Sequence, residues 1–213
     1  MEIYSTEEQQ EEAIKNFLKE NGLNIVVGAV LGVSGWLGWN WYSDKQLAEK
    51  EAASAQYEKF AEVAQAADVT LETVNSELNQ FVAQYGESGY AIFAQLIAAK
   101  QAVIEGKFEQ AEKSLTAAAA QAESSSLKDL VTVRLARVQI EQEKFDAALT
   151  SLNAVSNEGY SSRVAELKGD VYLAQGNTDK ARSEYQAAAD KGGLETNTVL
   201  KMKLDDLALS AKL

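Results

Sequence analysis

The sequence predicts an all-α protein: a single N-terminal transmembrane helix, then a solenoid of short helical hairpins. Three observations carry this. Proline is absent from all 213 residues, although it usually supplies about 5% of a chain, so nothing fixes φ or removes a donor inside a helix. A run of twenty residues, Leu23 to Tyr42, holds no charge. Beyond it, apolar residues recur three and four apart, as in Leu127, Leu130, Val131, Leu135 and Val138. That is the spacing of one helix face.

The uncharged run comes first. At about 1.5 Å per residue it covers roughly 30 Å, the hydrocarbon thickness of a bilayer. Asn24 and Asn40 sit near its ends, within reach of water and headgroups. Trp36, Trp39, Trp41 and Tyr42 crowd its C-terminal end, as in an aromatic belt at a membrane interface. A buried core helix is a weaker reading, because such helices rarely lack charge for this length or carry so much glycine. A cleaved export signal is weaker too. Its leading region is basic, whereas residues 1–22 hold six Glu against Lys15 and Lys19, and the run exceeds the roughly 7–15 apolar residues of a signal core. An uncleaved anchor fits best. Lys15, Lys19 and the amino terminus face Lys45, Lys50 and Lys59 across the span, so flanking charge does not settle orientation.

Gly28, Gly32 and Gly35 form a small-residue stripe on the anchor. Such a stripe lets a second helix approach closely where lipid supplies no hydrophobic drive. The alternative is that glycine is simply common in membrane helices.

Three regions follow: an acidic tail over 1–22, the anchor over 23–42 and a helical domain over 43–213. In the tail, Ser5-Thr6-Glu7-Glu8 resembles a capping box, and Ile14, Phe17 and Leu18 form a small apolar face. That face lies on the membrane surface or continues the anchor helix. In the domain, periodicity predicts helices over 44–67, 70–85, 89–105, 107–122, 127–142, 144–155, 161–175, 178–190 and 196–211. Breaks fall at turn formers such as Tyr85-Gly86-Glu87-Ser88-Gly89, Ser124-Ser125-Ser126 and Gly192-Gly193.

Aligning the turns exposes a repeat. Gly106-Lys107-Phe108-Glu109-Gln110-Ala111, Glu143-Lys144-Phe145-Asp146-Ala147-Ala148 and Gly176-Asn177-Thr178-Asp179-Lys180-Ala181 share a pattern, with their alanines 37 and then 33 residues apart. Four residues after each alanine comes Leu115, Leu152 or Tyr185, and three further on Ala118, Val155 or Ala188. The pattern resembles the tetratricopeptide repeat, a helix-turn-helix unit whose small residue permits close helix approach. It departs from that repeat in lacking Pro, in Glu143 where Gly is usual and in Thr178 where an aromatic is usual.

In that repeat the first helix of each unit lines the concave face. The alignment places Phe93, Leu96 and Lys100 there from unit one, Leu130, Val133 and Arg137 from unit two, and Arg163, Glu166 and Asp170 from unit three. Arg134, three residues before Arg137, joins them as a candidate partner contact. A groove with apolar pockets and a charged rim suits an extended or helical peptide. The opposing reading is that Phe93, Leu96, Leu130 and Val133 merely dock the helices over 44–67 and 70–85, and that each Arg is solvated or paired within the chain.

Several chemistries are disfavoured. Without Cys there is no thiolate nucleophile or disulfide, and without His the commonest general base and metal ligand are missing. Asp205 and Asp206 are adjacent on a helix and diverge. No glycine cluster precedes a Lys-Ser/Thr pair, so no phosphate loop is present. A net charge of −12 disfavours nucleic acid. No enzyme activity, metal or cofactor is expected.

Taken whole, the chain resembles the YfgM-like family of ancillary SecYEG translocon subunits. The resemblance rests on Met1-Glu2-Ile3-Tyr4, Phe17-Leu18-Lys19-Glu20-Asn21-Gly22, Val27-Gly28 and Leu31-Gly32-Val33 of the span, Gly38-Trp39, Leu135-Ala136-Arg137-Val138-Gln139, Lys168-Gly169-Asp170, Gln175-Gly176-Asn177, Ala181-Arg182 and Met202-Lys203-Leu204-Asp205-Asp206-Leu207. It implies a bacterial inner-membrane protein with a cytoplasmic N-terminus, one span and a periplasmic repeat domain. It further implies association with SecYEG and the membrane-anchored periplasmic chaperone PpiD, near newly translocated client polypeptides. A tethered scaffold for another envelope assembly or signalling complex is the alternative.

Overall fold

The computed structural model of the protein describes residues 7–210. Within them the first helix, α1 (Glu7–Ala64), runs for 58 residues without a break. From Glu7 onward, the expected tail, the anchor and residues 44–64 of the expected 44–67 helix are therefore one element. The reason is local. Gly22 meets no Pro, and the Asn21 side chain donates to the Phe17 carbonyl at 3.2 Å, so a residue that often ends helices here stays within one. The capping box starts at Ser5 and Thr6, outside the described residues, as does Ala211 at the end of the last expected helix.

The chain divides into two compact units, 1–52 and 53–213. In the first, large apolar side chains stand exposed along α1, Leu23 at 77% and Trp39 at 71%. Nothing of the apolar stretch is buried, and its length and composition suffice to cross a membrane. A core helix would have its apolar face covered by the rest of the chain, and this one does not.

The second unit holds the end of α1 and then α2 (Leu71–Tyr85), α3 (Gly89–Ile104), α4 (Phe108–Gln121), α5 (Ser125–Glu141), α6 (Phe145–Ala154), α7 (Ser161–Ala174), α8 (Thr178–Ala188), the single turn α9 (Leu194–Thr196) and α10 (Thr198–Ser210). The expected helices fall within a few residues of these. The expected 178–190 helix is shorter, because α8 gives way to a π-helical turn over Ala189–Gly193 with Gly192 at φ 82°.

Three hairpins, α3–α4, α5–α6 and α7–α8, repeat one design. Their turns place Gly106, Glu143 and Gly176 at φ 69°, 57° and 77°. The next residue in each closes the same bond five residues back: Lys107 to Ala102 (2.7 Å), Lys144 to Gln139 (2.9 Å) and Asn177 to Tyr172 (2.8 Å). This is the left-handed helix stop that favours glycine. Glu143 adopts it without glycine's freedom, at a cost on the order of 1 kcal/mol. Past each turn, Ala111, Ala148 and Ala181 have no exposed surface, and Leu115, Leu152 and Tyr185 fill the space between helices.

The third hairpin compensates in volume. Ala99, Ala136 and Gly169 each lie twelve residues before the turn alanine of their hairpin. Where the first two pair Ala with Leu115 and Leu152, the third pairs Gly169 with Tyr185. A methyl group on Gly169 would overlap the Tyr185 ring. The ring is fully buried and its hydroxyl donates to Asp170 Oδ1 at 2.7 Å, so it has no room to yield.

The helix α2 repeats the register once more. Val74, Leu78 and Phe81 are buried at the spacing of Ala111, Leu115 and Ala118, and Val74 precedes Ala111 by the same 37 residues that separate Ala111 from Ala148. The sequence hid this half-unit because the connection at 65–70 lacks the turn pattern. Tyr57 joins α1 to it. Its ring centroid lies 5.3 Å from Tyr90, 6.4 Å from Phe81 and 6.4 Å from Phe93.

Candidate interaction groove

First helices α3 and α5 expose one face each to a common groove of 860 Å³. From α3 come Phe93, Leu96, Ile97, Lys100, Val103 and Ile104, a continuous stripe at helical spacing. From α5 come Leu130, Arg134, Arg137, Val138 and Glu141. Tyr57 closes one end and Phe108 contributes from α4. The floor is accessible: Phe93 is 43% and Ile104 66% exposed.

Six of the expected groove residues, Phe93, Leu96, Lys100, Leu130, Arg134 and Arg137, meet here. Val133 does not. It is 6% exposed and packs with Ala136, Leu152 and Leu167, because it lies at the edge of the face that carries Leu130, and α6 and α7 cover that edge. Tyr57, Val103 and Ile104 were missed. Extending the α3 stripe by one turn finds Val103 and Ile104. No local signal finds Tyr57, which arrives from α1.

Arg163, Glu166 and Asp170 form a different environment. They line a smaller cleft of 330 Å³ with Asn197, Val199 and Lys203, and Arg137 and Glu141 border both cavities. Glu166 is 3% exposed. It accepts from Lys203 Nζ at 2.9 Å, from Asn197 Nδ2 at 2.8 Å and from Arg163. Lys203 Nζ also donates to Asp170 Oδ1 at 2.6 Å. Asn197 accepts from the Val199 and Leu200 amides, capping α10. These polar groups therefore fasten α10 across the third unit. Burial raises the cost of charge on Glu166, but the bond from Lys203 and the charges of Lys203 and Arg163 outweigh it and hold the carboxyl below the ordinary glutamate range. Burial, then Asp170, pushes the Tyr185 hydroxyl up.

Other acids bridge neighbouring elements. Glu105 accepts the Leu71 amide at 2.6 Å, capping α2. Glu112 on α4 accepts from Gln139 (3.2 Å), Gln142 (3.0 Å) and Lys144 (2.6 Å) of the second hairpin. Buried Asp129 accepts the Asn157 amide at 2.8 Å, fixing the link into α7. In the first unit, Gly28, Gly32 and Gly35 share one face of α1, with open space where a side chain would stand.

Helical hairpins in this register, with buried turn alanines and an inner groove, define a tetratricopeptide-repeat-like protein, and a family model described as a tetratricopeptide repeat-like domain matches residues 15–209. Curated relatives match over nearly their whole length. One from Haemophilus influenzae is 35% identical over 205 residues, 96% of this chain and 99% of the relative. One from Escherichia coli is 31% identical over 210 residues, 98% and 100%. One from Neisseria gonorrhoeae is 31% identical over 204 residues, 94% and 97%. Each is named ancillary SecYEG translocon subunit, and the chain belongs to that family.

Proposed function

We propose that the protein is a non-enzymatic ancillary subunit of the Sec translocon. Leu23–Tyr42 crosses the inner membrane, the N-terminus is cytoplasmic, and residues 43–213 form the periplasmic interaction domain. There it links the translocon to a PpiD-like chaperone and assists the export and folding of newly translocated chains. The carrying observation is identity above 30% to three ancillary SecYEG subunits across nearly the full length of each. The unburied apolar helix supports the tether. Tethering raises effective concentration at the exit site without any new contact. Phe93, Leu96, Lys100, Leu130, Arg134 and Arg137 supply the docking groove.

Photo-cross-linkers at Phe93 and Leu130 in intact membranes test this reading. Adducts with SecYEG subunits and the chaperone are expected. Adducts only with proteins of another envelope assembly sink it. The Gly28, Gly32, Gly35 face would meet a partner helix in the bilayer, so Gly32→Leu lowers co-purification from mild detergent while leaving insertion intact.

A further inference from the structure

The groove combines two features that together select an occupant. Its floor is apolar, built on Phe93, Leu96 and Leu130. Around that floor stand three cations, Lys100, Arg134 and Arg137, and one acid, Glu141. All four are exposed. None of the three cations is held by an ion pair among the described residues, whereas Arg163 and Lys203 in the adjoining cleft are both paired. This occurs in a chain with 32 acidic and 20 basic residues.

From this we infer that the groove takes an amphipathic polypeptide segment whose polar positions are carboxylates. The inference rests on the groove being the docking site proposed above. An occupant that covers the floor strips water from the rim. Cations desolvated without partners cost free energy, and carboxylates on the occupant restore their bonds, bidentate at the two Arg. A basic segment meets three like charges and a single opposite one, so it is rejected rather than merely unrewarded. The apolar side chains of the occupant supply affinity and the rim supplies choice and approach rate. The site is concave, and a planar membrane surface cannot enter a cleft between helices, so a polypeptide suits it better than a lipid layer.

The test uses the full chain in nanodiscs of zwitterionic lipid. Two labelled amphipathic peptides share identical Leu and Phe positions and differ only in having Glu or Lys at every polar position. Fluorescence anisotropy should show the Glu peptide binding about tenfold tighter at low salt, with the gap closing as salt screens the rim. Arg134→Glu with Arg137→Glu should reverse the preference, while Phe93→Ser should weaken both peptides alike. The two Arg are exposed, and an unchanged circular-dichroism melt confirms that the double variant folds. Equal binding, preference for the Lys peptide or no binding of either overturns the inference. So does Arg-dependent uptake of a soluble short-chain phosphatidylglycerol with no peptide binding. The peptide preference and the SecYEG cross-links are separate readouts: loss of the cross-links alone removes the translocon reading and leaves the charge selection standing.

Discussion

The inner faces of the second and third hairpins differ although their backbones follow one plan. On α5, Leu130, Arg134 and Arg137 face an open groove. On α7, Glu166 and Asp170 are tied to Asn197 and Lys203, and Arg163 pairs with Glu166. The turn bonds and buried turn alanines are the same in both. The positions that hold a hairpin together lie on one side of its helices, and those that face the groove lie on another. Inner-face chemistry can therefore change completely without disturbing the fold. In one hairpin it stays open, and in the other it fastens the end of the solenoid.

That contrast makes unequal demands on stability. The largest effect is expected from Lys203→Met, which removes the cation shared by Glu166 and Asp170 and should cost about 3 kcal/mol. Thermal unfolding should fall, and hydrogen exchange should speed up in α10. The matching change on the open rim, Lys100→Met, should stay within about 0.5 kcal/mol. Similar losses at both sites would break the comparison.

Next comes Gly169→Ala, expected to cost about 2 kcal/mol by driving a methyl into the Tyr185 ring. Pairing it with Tyr185→Leu restores the arrangement of the second hairpin, so chemical denaturation should show the double variant less destabilised than the two singles summed. Additive losses would mean that the two residues do not compensate each other.

A third, smaller effect separates the regions by pH. The Glu166 carboxyl is held below its unfolded value. Its contribution is therefore fully present above the ordinary glutamate value of about 4.3. It is lost as pH falls through the lowered native value, because the unfolded chain binds the proton first. Melting curves across the acid range should show this loss. In Glu166→Gln that part of the slope should flatten, and an unchanged slope would remove Glu166 as its source.

The smallest change is a gain. Glu143→Gly should relieve the left-handed turn and stabilise the protein by about 0.5 kcal/mol, the relief being partly offset by the freer unfolded chain. A loss measured by denaturant titration would show that the Glu143 side chain matters more than its backbone strain.

Much of this was legible in the residues. The turn pattern around Ala111, Ala148 and Ala181 located three hairpins because close helix approach demands a small residue at a fixed place. Helical stripes found most of the groove for the same reason: a period of 3.6 fixes which residues share a face. Val133 was misplaced because it borders two faces, and only the position of α7 decides which one is covered. The α2 half-unit stayed hidden because its connection breaks the turn pattern while its helix keeps the register.

Sequence by itself determined the helices, the uncharged run from Leu23 to Tyr42 and the repeat, since each depends on local conformational preference or on spacing along one chain. Tertiary structure decided which inner faces are open. Nothing near Glu166 or Asp170 in the chain announces their partners: Asn197 lies 31 residues after Glu166, and Lys203 lies 33 after Asp170. Two of the charged groups expected to meet a partner became a fastening for α10 because ion pairing depends on distance in space, and distance in space is set only once the helices pack.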